Sequence, residues 1–333
     1  MSIESSERNS LINLELNIMP ITSFLKRDIL KSSTYSRQSK KLLFTTFNCA
    51  KSQLIPLQTL QEIQNDDLVM ALTGLAGGIL NNGSTCGVVI GGATSSAVIR
   101  DKELAGQWKL DDKIQLLNEI RADVTWFENY FGTSLCRERA DLNYQRITVL
   151  GLLNPQKVKG CVARSGASME YFLKKFDSTK KIQNKPPHHN PQTAEHCAQK
   201  ILKEIRNETE IGNEKLERIS VALDGGIGLS GGGCGALSGA LMALGLRYAL
   251  DPKNTEPDKL RNIYKSMDSE FFTMAKILVS QFIKEFEYFE CSRITGVKFK
   301  DWNEFSEFRN NSSCDALNKF LVEKTIEIIN LRE

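Results

Sequence analysis

Long apolar runs are missing from this chain. No stretch of its 333 residues approaches the roughly 18 consecutive apolar residues that span a bilayer, and the best N-terminal candidate, Leu11 to Leu25, is broken by Glu15 and lacks a basic start. No membrane contact and no export are expected, so the expected compartment is cytoplasmic and reducing. Charge of one sign is missing as well: 43 Lys and Arg against 40 Asp and Glu leave a net +3, too little to call for a nucleic-acid partner. Histidine is scarce, at three residues. Without any Cys-x-x-Cys-His, covalently attached c-type haem is not expected. No Lys-Ser/Thr follows the glycine-rich stretch 225–239 and no βαβ pattern surrounds it, which argues against a phosphate loop. Paired carboxylates or Ser-His-Asp residues at spacings that would support hydrolysis are also lacking.

What the chain does have is eight cysteines, in a compartment where a structural disulfide framework is not expected. Their positions fall into two sets of four: Cys49, Cys86, Cys136, Cys161 and Cys197, Cys234, Cys291, Cys314. The first pair of each set is 37 residues apart, and one offset of 148 superposes both pairs. The same offset lays Leu75-Ala-Gly-Gly-Ile79 on Leu223-Asp-Gly-Gly-Ile227, and Gly83, Gly87 and Gly91 on Gly231, Gly235 and Gly239. Later cysteines keep their order with small drifts in spacing. An ungapped block plus matched order is the signature of an internal duplication. At this length two domains of about 150 residues are expected.

Helical periodicity dominates. In Thr193–Arg206 the apolar residues and Cys197 recur every three or four positions, which puts Cys197 on a buried stripe. Cys234 follows Gly231-Gly-Gly233 and opens a small-residue helix. Asp268–Phe289 reads as a long helix that delivers Cys291, and a last helix carries Cys314, with Ser312 or Ser313 as its cap. The first copy repeats the plan through Leu116–Phe131 and Cys161–Phe176, with Pro56 expected to shorten its opening helix. The expectation is an all-α protein of two homologous helical-bundle domains in tandem: a polar arm over 1–40, a first, degenerate four-cysteine repeat over 41–176, a linker over 177–192 and a second repeat over 193–333. A cysteine at a helix start meets exposed N–H groups that favour thiolate over thiol. Glycines there, Gly233 and Gly235 in the second repeat, would let backbone approach a bulky group. Four thiolates suit a [4Fe–4S] cluster, a [2Fe–2S] cluster or a structural zinc; the wide spacing disfavours zinc, which usually takes close Cys-x-x-Cys pairs. His196 adjoins Cys197, but its repeat mate is Asn48, so it is read as a solvated neighbour and not as a ligand.

The order Cys197, Gly-Cys234-Gly-Ala-Leu-Ser-Gly239, Cys291, Cys314 resembles the redox-active C_GCAxxG_C_C family, named for that signature. Gly235 follows Cys234, and Gly239 lies one place later than in the literal signature. The first repeat departs further, with Thr85 ahead of Cys86. The resemblance implies a helical domain with iron–sulfur or related redox activity. An iron–sulfur redox protein is therefore expected, with electron transfer or a redox-subunit role, [4Fe–4S] favoured over [2Fe–2S], and metal ligands at Cys197, Cys234, Cys291 and Cys314 and at Cys49, Cys86, Cys136 and Cys161. Its partner would be a redox protein or a small-molecule electron acceptor, and a homodimer is a further expectation. Two alternatives stay open: an oxidoreductase that uses a cluster or thiol to reduce a small molecule, and a non-catalytic helical module with structural zinc.

Overall fold

A computed structural model describes residues 33–140, 155–179, 193–251, 254–311 and 314–331. The protein is all-α, and among the described residues extended pairing is confined to two isolated bridges. The first repeat comprises α1 (Thr34–Thr46), α2 (Cys49–Leu60), α3 (Asp66–Ala71), α4 (Gly87–Glu103), α5 (Leu110–Phe131), α6 (Cys136–Ala140) and α7 (Pro155–Thr179). The second comprises α8 (Cys197–Thr209), α9 (Glu214–Ile219), α10 (Gly235–Tyr248), α11 (Pro257–Ser266), α12 (Glu270–Phe286), α13 (Cys291–Thr295), α14 (Trp302–Asn311) and α15 (Cys314–Asn330). Helix α11 occupies the longer second-repeat spacer between the second and third cysteines. Residues 1–32 of the expected arm, 180–192 of the expected linker and the cap candidates Ser312 and Ser313 lie outside the described residues; Thr34–Lys40 belong to α1, docked on α7 by Ser36 and Ser39.

Local chemistry explains the helix starts. Asn65 and Asn213, 148 positions apart, each cap a short helix by accepting from Leu68 N and Leu216 N. Ser269 does the same for α12, which runs from Glu270 to Phe286. Pro56 does not shorten α2, which has 12 residues against 13 in α8. Packed among α1, α4 and α7, that helix tolerates the missing N–H. Glycine sets how closely the helices pair. A Cβ at Gly91 would stand 2.2 Å from Ala50 O, and one at its mate Gly239 would stand 2.9 Å from Ala198 O.

The two repeats pack reciprocally. Helix α10 rests on α3 and the 3-10 turn Leu72–Leu75 of the first repeat, and α4 rests on α9 and the turn Ser220–Leu223 of the second. One hydrophobic core consequently runs through both, joining Leu72, Leu75 and Ile90 with Leu223, Leu237 and Leu241. Gly233 N donates to Thr85 Oγ1 at 2.8 Å across 148 positions of sequence, so repeat mates meet on the pseudo-twofold axis.

Candidate functional site

Seven of the eight cysteines stand at helix starts. Cys49, Cys136, Cys197, Cys291 and Cys314 are first helical residues, and Cys86 and Cys234 are N-caps; Cys161 lies inside α7, which begins earlier than expected, at Pro155. None of them is in a disulfide.

Two local devices hold them. The first is a two-residue antiparallel ribbon. Cys86 N donates to Ser134 O at 2.8 Å and Cys136 N to Ser84 O at 2.8 Å; in the second repeat Cys234 N donates to Phe289 O at 2.8 Å and Cys291 N to Gly232 O at 2.6 Å. The second and third cysteines of each set are thereby clamped side by side. The second device is a turn in which five consecutive residues, 77–81 and again 225–229, have positive φ. Non-glycine residues pay about 1–2 kcal/mol each for that conformation. Burial of Ile79 and Leu80, and of Ile227 and Leu229, offsets it. At Gly78 and Gly226 no side chain fits, because a Cβ would lie 2.4 Å from Ser84 N and from Gly232 N. The turn brings Gly77 N to 3.4 Å from Cys49 Sγ, and in the second repeat the Gly225 amide lowers the Cys197 thiol from the equivalent position.

The sulfurs of each set share one neighbourhood. Cys291 feels the charges of Cys197, Cys234 and Cys314; Cys49 feels Cys86 and Cys161, and Cys136 reaches the same group through Arg164. The expectation that helix starts would favour thiolate is corrected. Burial pushes the Cys49 thiol up to about 12 and the Cys234 thiol up to about 11, and raises Cys86, Cys197 and Cys291 as well. The Ala236 and Leu237 amides lower the Cys234 value without overcoming its desolvation.

His196 is also corrected. It is 7% exposed, packs on Trp302 and pairs through Nδ1 with Asp224, which is fully buried. Asp224 Oδ1 accepts from Cys197 N at 2.7 Å. The aligned residues in the first repeat are Asn48 and Ala76. Asp224 was legible as the one charge in an otherwise apolar and glycine-rich block. Two residues that the sequence did not single out are arginines. Arg164 Nη2 lies 3.3 Å from Cys161 Sγ, and Arg309 lies beside Cys314, within reach of the charges of Cys314 and Cys197. Of the expected glycines, a Cβ on Gly235 would stand 2.5 Å from Leu223 O and 3.1 Å from Cys197 Cβ, while the Gly233 amide is engaged by Thr85.

Four thiols in each set are a donor chemistry that suits a sulfur-ligated metal group. Among the described residues no three Cys, His, Asp or Glu side chains surround a single metal-ion position. Zinc requires each sulfur about 2.3 Å from one centre. Arg309 Nη1 is buried without a hydrogen-bond partner, a donor left over beside the sulfurs. An open cleft of about 840 Å³ lies elsewhere, between the repeat-related segments 64–67 and 212–215. Among the described residues no helix is long and apolar enough to cross a membrane.

A family model described as "Putative redox-active protein (C_GCAxxG_C_C)" matches residues 47–179 and again 195–328. No curated protein and no solved structure matches the chain.

Proposed function

The chain belongs to the C_GCAxxG_C_C family, and from that premise we propose that it is an iron–sulfur electron-transfer protein carrying one cluster on each set of four cysteines, [4Fe–4S] in preference to [2Fe–2S]. The observation that carries this reading is the gathering, twice over, of four buried or half-buried thiols, seven of the eight at helix starts, with the second and third of each set clamped by the same ribbon. Ligands would be Cys197, Cys234, Cys291 and Cys314 in one set and Cys49, Cys86, Cys136 and Cys161 in the other. Bound there, a cluster supplies one-electron chemistry. The protein's part is to deliver thiols, release their protons on loading and shield the site: buried thiols with raised pKa values keep their protons until metal displaces them. The partner would be a redox protein or a small-molecule electron acceptor.

Anaerobic purification followed by iron, zinc and acid-labile sulfide analysis tests the reading. Iron with matching sulfide and broad visible absorption is expected, and Cys291→Ser should lower the iron by about half. Zinc alone, or a colourless protein without metal, would refute it.

A further inference from the structure

We propose that Arg164 and Arg309 are positioning residues that hold a fixed positive charge against the two sulfur sets, and so govern how firmly each set retains its cluster and how readily it takes up an electron. The inference rests on the cluster reading above and deepens it.

The two arginines are not repeat mates. With the fourth cysteines superposed, Arg164 falls on Leu317 and Arg309 falls on Gln156. Arg164 follows Cys161 on the same helix, α7, whereas Arg309 comes from α14, ahead of Cys314. Different elements thus bring the same charge to the same place in each half. Arg164 Nη2 contacts Cys161 Sγ at 3.3 Å and its charge acts on Cys86 and Cys136. Arg309 is the more enclosed, with a side chain 3% exposed. It lies beside the Cys314 sulfur, and the charges of Cys197 and Cys314 act on it. Its Nε donates to Glu195 O at 3.3 Å, and Nη2 stands 3.9 Å from Glu195 Oε2, on a side chain 61% exposed. Nη1 has no partner at all. Burying a guanidinium with a donor unsatisfied is costly unless a negative group completes it. A cluster held by four thiolates is such a group.

The consequence follows from charge. When a one-electron donor reduces a cluster, the electron adds negative charge beside the arginine, so the guanidinium stabilises the reduced form more than the oxidised one. Removing it lowers the reduction potential of that set and loosens the cluster. Asp224 acts in the opposite sense in the second set, near Cys197 and Cys291.

The test uses the full chain, reconstituted anaerobically with iron and sulfide and titrated with dithionite. Iron in the wild type is measured first. Arg164→Gln and Arg309→Gln, each with unchanged far-UV circular dichroism, should each lower the potential of one of two waves and release iron to a chelator about 10-fold faster or more. Arg164→Lys and Arg309→Lys, which keep charge but lose the planar fork, should fall between. If Arg309→Gln folds poorly, Asp224→Asn reads the same field with opposite sign, and the second wave should rise. Iron-loaded Gln variants with unmoved potentials and unchanged retention, or an Asp224→Asn potential that stays or falls, would overturn the inference and leave the cluster reading standing. A wild type without iron and sulfide would overturn both, a distinct result.

Discussion

The two sulfur sets share a backbone and differ in their charges. Both are clamped by the same ribbon, both lie under the same positive-φ turn, and both bring a backbone amide to the first sulfur, from Gly77 and Gly225. Around that common frame the first set has Asn48, Ala76 and Arg164 from its own helix. The second has His196, Asp224 and Arg309 from α14. Duplication kept the peptide geometry, which has few alternatives once a chain must turn through positive φ and clamp two helix starts. Side-chain charge, which any well-placed element can supply, diverged.

Helix contact offers the largest effect with which to probe this comparison. Gly91→Ala should cost about 3 kcal/mol and Gly239→Ala about 1 kcal/mol in urea denaturation, because the added Cβ meets Ala50 O at 2.2 Å in one case and Ala198 O at 2.9 Å in the other. Equal losses would show that the two helix pairs relax alike. Next comes the second set's own pair. Asp224→Ala removes the acceptor of Cys197 N and of His196 and should cost about 2 kcal/mol. His196→Asn, which imports the first repeat's residue, should cost about 1 kcal/mol. Their combination should cost less than the sum, since the two groups bond each other; an additive pair would mean that they do not act together.

A further effect, confined to alkaline solution, concerns the metal-free protein. Thiols ordinarily ionise near 9.0, whereas Cys49 is pushed up to about 12 and Cys234 up to about 11. Folding therefore holds their protons, and stability that is complete below pH 9 should decline as pH rises through the folded values. Cys234→Ala should flatten that decline up to about pH 11 and Cys49→Ala up to about pH 12; stability that does not fall there would refute burial as the cause. A change as small as that of His196→Asn is expected where the repeats meet. Thr85→Val removes the acceptor of Gly233 N and should cost about 1 kcal/mol, a difference visible as a shift of denaturation midpoint without a change in slope.

Much of the fold was legible because its signals are local. The spacing of 37, the shared Gly-Gly-Ile block and the helical period around Cys197 each report on neighbouring residues, and the duplication, the helical class and the helix start at Cys234 followed from them, whereas the starts at Cys136, Cys197 and Cys291 did not. Errors came where a local rule met a tertiary one. Pro56 sits within a full-length helix because the surrounding helices hold it. His196 looked solvated because its mate is an asparagine, but Asp224 is 28 residues away and draws it inside.

By itself the sequence determined the family, the two four-cysteine registers and the glycines on which close backbone approach depends, since covalent spacing, helical period and the missing Cβ act within a few residues. Only the tertiary structure decided which charges face the sulfurs, that Thr85 meets Gly233, and that one core serves both repeats. Arg309 and Cys197 are far apart along the chain, and electrostatic proximity has no period that a sequence can display; it exists only once α14 has folded back over the start of α8.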